Sequence, residues 1–382
     1  MLSRTARSLA GTLVPFMLSA YAAFSLSLEV GQLAERFQAP VAAVLLAIPI
    51  DFIGGAVGGV LLGYVADRWG RRTSLIISSL LFSVPILAAA GARALWELYA
   101  LWFLVGIGVN SQNGVTYAVL VETLRSSRGS VGGFTQGLYF IGFLLDVVTH
   151  GLAPGPSRFF TYVGLLSLAL GLPLSAVVPE TVAAMRGQRQ PGLRSMGRRL
   201  AMLTAALSTI TVGAFMFSVP LLSVTPSFVA SMHIGEGALE VITFIGFLGF
   251  VVGGLLSDML GRLRVQLAFS AAGLAASLLL VYMGEGLPGA AALAFMFFFS
   301  GYFSFIGVWA GESYPPQYRA TATNLVFLVG RVVGGFSAII AAGLYPSSLR
   351  VGTALTCAIG NMLAVIGGIL YIMYGGYGAR GR

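Results

Sequence analysis

The chain has very few side chains capable of chemistry for its size. Its 382 residues include no lysine, one cysteine and two histidines, and 9% are charged, against about 25% in an ordinary soluble domain. Without lysine there is no ε-amine for a GxxxxGK[ST] phosphate loop, a pyridoxal Schiff base or a retinal Schiff base. A lone Cys357 excludes a disulfide framework and a multi-cysteine metal site. His150 and His233 lie far apart, with no HExxH spacing. These absences set aside an ATP-driven pump, a metalloenzyme and a retinal protein. No enzymatic activity, metal or organic cofactor is expected. What remains is apolar: 57% hydrophobic residues, with 51 Gly and 26 Phe. So few charges cannot cover that surface in water, and the composition is that of a polytopic membrane protein.

A bilayer-spanning helix needs about 20 apolar residues. Reading apolar runs between charged, Pro and Gly breaks predicts twelve spans, at roughly 8–32, 41–66, 73–92, 95–121, 129–152, 158–179, 199–225, 238–258, 265–284, 288–312, 320–345 and 350–375. The polar stretch around 181–198 is read as a basic cytoplasmic linker between an N-terminal half, 1–180, and a C-terminal half, 199–382. Ala20-Tyr21-Ala22 offers a signal-peptide cleavage site, but the apolar run continues to Leu28. With a cytoplasmic N-terminus, the inside segments hold 17 of the 22 Arg; the outside loops hold Arg36, Arg93, Arg158 and Arg350. The inside-positive rule therefore puts both termini in the cytoplasm of a multi-pass plasma-membrane protein. The net charge of +9 is read as a topology signal for a lipid-bilayer partner, with no nucleic acid.

The two halves match. A shift of 191 residues carries Gly58 onto Gly249, Gly63 onto Gly254, Asp67 onto Asp258, Gly70 onto Gly261, Arg71 onto Arg262 and Arg128 onto Arg319. A duplicated set of six spans is a transporter architecture.

Two motif pairs sit on this repeat. After the second span comes Gly63-Tyr64-Val65-Ala66-Asp67-Arg68-Trp69-Gly70-Arg71-Arg72, and after the eighth Gly254-Leu255-Leu256-Ser257-Asp258-Met259-Leu260-Gly261-Arg262. The fourth and tenth spans end in Glu122-Thr123-Leu124-Arg125-Ser126-Ser127-Arg128-Gly129 and Glu312-Ser313-Tyr314-Pro315-Pro316-Gln317-Tyr318-Arg319. These resemble the GxxxDRxGRR and ExxPxxxRG loops of the major facilitator superfamily, closest to its sugar-porter and metabolite–proton symporter branches. Pro179-Glu180-Thr181 is similar to the PES/PET ending of the same branches.

The resemblance covers the whole chain. It implies an all-α membrane protein of twelve transmembrane helices in two pseudo-symmetric six-helix bundles, working as a monomer by alternating access. It also implies gating clusters, one of Asp67, Arg71, Arg72, Glu122 and Arg128 and one of Asp258, Arg262, Glu312 and Arg319, with Arg68, Gly63, Gly70 and Gly261 shaping the loops. The alternative is that these residues are loop caps and inside-positive charges. Two departures matter: Trp102 stands where relatives often carry Arg, which tells against a proton mechanism borrowed from members that use that Arg, and the seventh span lacks the Gln-Gln pair of hexose porters, which disfavours a glucose-type substrate.

Ionisable residues within spans are functional hypotheses by default. Arg331, near the middle of the eleventh span, suits a carboxylate bidentately; a structural ion pair with Asp51 or Asp146 is the other reading. Burial favours the neutral form of a carboxyl, which can then load and release a proton. Asp51, Asp146 and Glu29 are therefore proton-coupling candidates, with Glu29 also read as interfacial. Asp146 belongs to a stripe of Gln136, Tyr139, Phe143, Asp146 and His150. The resemblance implies that the first helix of each triple lines a cavity, so Asn110, Asn113 and Tyr117 join Arg331, Gln136 and Tyr302 as candidate substrate contacts. Asn110 and Asn113 equally fit interhelical hydrogen bonding. The sequence thus reads as a secondary transporter of a small solute, with proton-coupled symport of an organic anion foremost. A polyspecific drug/proton antiporter and a sugar or neutral-metabolite porter are the rivals.

Overall fold

The computed structural model describes residues 4–123, 128–179, 197–235, 237–315 and 319–374. The side chains of Asp67, Asn113, Tyr117, Glu122, Arg128 and Arg319, and nearly all of the 181–198 linker, lie outside the described residues. Every element described is helical, with no strand among them.

The first half runs α1 (Arg4–Arg36), α2 (Ala47–Trp69, after a short turn Val41–Leu45), α3 (Arg71–Ala89), α4 (Leu95–Thr123), α5 (Arg128–Leu152) and α6 (Pro156–Leu166, continued by Ser167–Gly171 and Leu172–Ala176). The second half runs α7 (Arg198–Ser223), α8 (Ala238–Leu260), α9 (Arg262–Met283), α10 (Gly286–Phe299, continued by Ser300–Phe305 and Ile306–Ser313), α11 (Arg319–Gly335 and Ser337–Leu344) and α12 (Leu349–Tyr374). Eleven of these are long and apolar enough to cross a bilayer, and the 29 residues of α4 supply a twelfth helix of spanning length.

Two compact units form: residues 1–126 with 138–186, and 127–137 with 187–382. The start of α5 therefore packs with the second unit, although the chain places it in the first half.

The sequence repeat is visible as repeated geometry. Gly70 and Gly261, 191 residues apart, both join consecutive helices at positive φ, +97° and +92°. A side chain would be strained there, which explains the glycine in both loops. Helix contacts repeat as well. A Cβ on Gly58 would overlap the carbonyl oxygen of Ile107, and one on Gly249 that of Phe298; these pairs correspond under the same shift. Missing side chains let α2 lie on the backbone of α4, and α8 on that of α10. This is how helices without a hydrophobic drive between them gain packing.

Several polar groups inside each unit are tied to backbone or to each other. Ser78 donates to the Gly108 carbonyl (2.7 Å) and to Gln112 Oε1 (2.8 Å), and Ser79 meets Ser175 at 2.8 Å. In the second unit Gln266 Nε2 donates to the Ala364 carbonyl at 2.9 Å. Cys357 is buried, its thiol against the Phe217 carbonyl at 3.4 Å.

Candidate functional site

In the second unit, α11 carries Arg331 past α7. Glycines at 330 and 334, on one face of the helix, leave no room for a Cβ against Thr211 and Phe215 of α7. Arg331, about 100° round from Gly330, stands half-buried at the edge of that contact. Its guanidinium carbon lies 5.9 Å from the Phe327 ring centre, and Phe327 packs on Gly307 of α10. Phe215 stands edge-on to Phe303 of α10 at 4.9 Å and to Phe327 at 6.4 Å. Phe303 stacks on Phe250 of α8 at 6.3 Å. One cation and four rings, from four helices, thus share this part of the unit, a setting in which a guanidinium is weakly hydrated and strongly directional.

The cytoplasmic motif of this unit is assembled side chain by side chain. Arg262 Nη1 lies 2.7 Å from Asp258 Oδ1 and donates to Ser257 Oγ at 2.6 Å. Its Nε and Nη2 reach both oxygens of Glu312 at 3.3 Å, a two-pronged contact. Asp258 also accepts from the backbone N–H groups of Gly129 (3.1 Å) and Ser130 (2.8 Å) and from the Ser130 hydroxyl (2.8 Å). It therefore caps the first turn of α5 from another helix, meeting donors that a helix start leaves open. Asp258→Ala should cost ~1–2 kcal/mol through the lost cap, read as a lower thermal midpoint in detergent.

Of its first-half counterparts, Arg68 is exposed and donates to the Tyr64 hydroxyl, Arg71 is half-buried and Arg72 exposed. Gly63 has open space where a Cβ would sit.

Several expected contacts are placed elsewhere. Tyr302 is fully buried, stacked on Phe217 (6.3 Å), and donates to Asn361 Oδ1 at 3.4 Å. Residues Ser300–Phe305 form a 3₁₀ segment. It advances about 120° per residue where an α-helix advances about 100°, so the face read from α-helical spacing is turned away. Trp309 likewise packs edge-on against Tyr371 at 4.6 Å. Asn110 is 7% exposed; its amide fills the space over Gly55 in the α2–α4 contact and donates to the Gly106 carbonyl of its own helix at 3.4 Å. Glu29 is fully buried, 3.5 Å from His150. Asp51 is buried where α2 crosses Gly106 of α4, and Asp146 is fully buried. Gln136 is half-buried.

Three interactions could not be found from one helix at a time. They are the Asp258 cap on α5, the Glu29–His150 pair, and the bond from Tyr314 to Thr204 Oγ1 (2.9 Å). Burial pushes the Tyr314 hydroxyl up to about 12, so it stays a neutral donor at physiological pH.

Among the described residues, eleven candidate spans, a twelfth helix of spanning length and a duplicated half with charged motifs between consecutive helices define a polytopic membrane transporter. The sequence profile of the Major Facilitator Superfamily matches residues 1–339, and the chain belongs to that family. It is 25% identical over 332 residues, 82% of this chain and 77% of the other, to a Cupriavidus pinatubonensis protein named "Probable 4-methylmuconolactone transporter". It is 24% identical over 73% of each chain to the cis,cis-muconate transport protein of Acinetobacter baylyi. Among solved structures, the inward-open xylose transporter XylE of E. coli superposes with a TM-score of 0.77, at 18% identity, over 96% of this chain and 95% of that one. That last likeness is one of fold.

Proposed function

We propose that the protein is a monomeric plasma-membrane symporter that couples proton entry to uptake of a small organic anion, with both termini cytoplasmic. The observation that carries the reading is Arg331, a half-buried cation in α11 beside the Phe327 ring, which in turn meets Phe215, itself edge-on to Phe303. A guanidinium in this setting suits the fork of a carboxylate, and the rings suit a flat apolar body. The names printed for two relatives, a muconate and a methylmuconolactone transporter, support that class. The driving ion is the proton, and Asp51 and Asp146, both buried within spans, are the groups that carry it. Alternating access of two duplicated bundles supplies the movement.

The test is purified protein in liposomes enclosing a pH dye, challenged with cis,cis-muconate, aromatic monocarboxylates, xylose and neutral amino acids. The expected result is acidification with carboxylates and none with xylose. Acidification by neutral solutes, with carboxylates inert, overturns the reading.

A further inference from the structure

The facing stripes of α1 and α5 in the first unit hold a ladder of proton-carrying groups distinct from Arg331. At its open end, His150 lies two residues before the end of α5, and its side chain is 28% exposed. Its Nε2 is 3.5 Å from Oε1 of Glu29, which is fully buried on α1. One helical turn deeper on α5, Asp146 is fully buried, and neither carboxylate oxygen is hydrogen-bonded among the described residues. Between these levels the Tyr21 hydroxyl of α1 donates at 2.9 Å to Oγ1 of Thr149, which lies between Asp146 and His150 on α5. From the start of α6, the Phe159 ring stands edge-on to His150 at 5.4 Å. Arg36, seven residues beyond Glu29, instead reaches the Ala90 carbonyl and the Ser157 hydroxyl.

Two buried carboxyls and an imidazole make a costly way to hold two helices together, since burial penalises each charge and any unmade bond. Asparagine, glutamine or serine would do that work, as Ser78 and Gln112 do between α3 and α4. What the acidic and basic groups add is the ability to hold protons one after another, from an exposed group inward.

We propose that the Glu29–His150 pair is the proton gate for Asp146. A proton taken from water onto the imidazole passes from Nε2–H to a Glu29 oxygen, leaving a neutral ring able to take another. It travels inward past the hydroxyls of Tyr21 and Thr149 to an Asp146 oxygen, where the new O–H bond removes the buried charge. With the ring neutral and Glu29 charged, the open end is shut to the reverse step until His150 is protonated again. Under the orientation proposed above, this open end faces outward. The gate rests on the proton-coupled reading.

Two measurements test it, and one needs no substrate. With two histidines in the chain, labelled imidazole resonances in nanodiscs are assigned by His150→Gln alone. The pH at which His150 titrates should move by about one unit in Glu29→Gln, with a smaller move in Asp146→Asn. Identical titration in wild type and both variants overturns the proposal. In proteoliposomes with cis,cis-muconate as the probe, Glu29→Gln and His150→Gln should lower proton entry at least about tenfold. Counterflow of labelled muconate, which needs no net proton movement, should keep its order of magnitude. Wild-type proton entry in both variants overturns the proposal. If wild type carries muconate without protons, both the coupled reading and the gate fall. If it does not carry muconate, the substrate reading alone has failed, and the titration decides the gate.

Discussion

Arg331→Ala should lower carboxylate-driven acidification by roughly a hundredfold at subsaturating substrate, since truncating one partner of a desolvated charge pair costs about 3 kcal/mol. The size follows from where the guanidinium sits. Half-buried beside the Phe327 ring, it has less water to take over from the lost carboxylate contact than a surface arginine would have. The loss should fall on apparent affinity, because α11 keeps its glycine contacts with Thr211 and Phe215 in the variant. Arg331→Lys keeps the charge but not the planar fork, and should recover only part of the affinity. The check is a dye-loaded liposome assay run across substrate concentrations beside wild type. A variant indistinguishable from wild type would make Arg331 a structural partner and remove the main support for an anionic substrate.

Gly249→Val should leave little folded protein. A Cβ at this position would overlap the carbonyl of Phe298, a rigid backbone atom that cannot swing aside as a side-chain tip could. Overpacking of this kind costs about 1–3 kcal/mol, and more where backbone must move. The contact is close from both sides, because a Cβ on Gly301 of α10 would equally overlap the Gly249 carbonyl. Gly58→Val, the repeat-related change against Ile107, should behave alike. Gly59→Ala has open space around it and should be tolerated, with the better helix propensity of alanine in its favour by about 1 kcal/mol. Yield after membrane extraction and a thermal midpoint by fluorescence separate the three. Equal midpoints for Gly249→Val and wild type would mean that the close helix approach is not what holds the second unit.

Asp258 shows the distance between reading a motif and knowing its work. The spacing of Gly254, Asp258, Gly261 and Arg262 was legible, as was its echo at Gly63, Asp67, Gly70 and Arg71. The partners of the Asp258 carboxylate were not: Gly129 and Ser130 lie more than a hundred positions earlier and show nothing locally that marks them as its target. His150 is a similar case. Its place four residues after Asp146 could be read from the chain, but Glu29 across from it could not. Tyr302 shows a different limit. Its face was read from an α-helical spacing that the 3₁₀ turn of Ser300–Phe305 does not keep.

By itself, the sequence determined the class of protein, its helices and its internal duplication. Those rest on quantities summed along the chain: apolar content, run length, the 191-residue echo and the glycines needed at positive φ. Tertiary structure alone decided which polar groups meet. It buried Tyr302 against Phe217, set the Asn110 amide over Gly55, buried Glu29 against His150, and linked rings from α7, α8 and α10 to the α11 ring beside Arg331. The physical reason is that a side chain's place on its own helix follows from local periodicity. Its partner on another helix depends on crossing distance and rotation, which are set by glycine contacts spread over the whole fold.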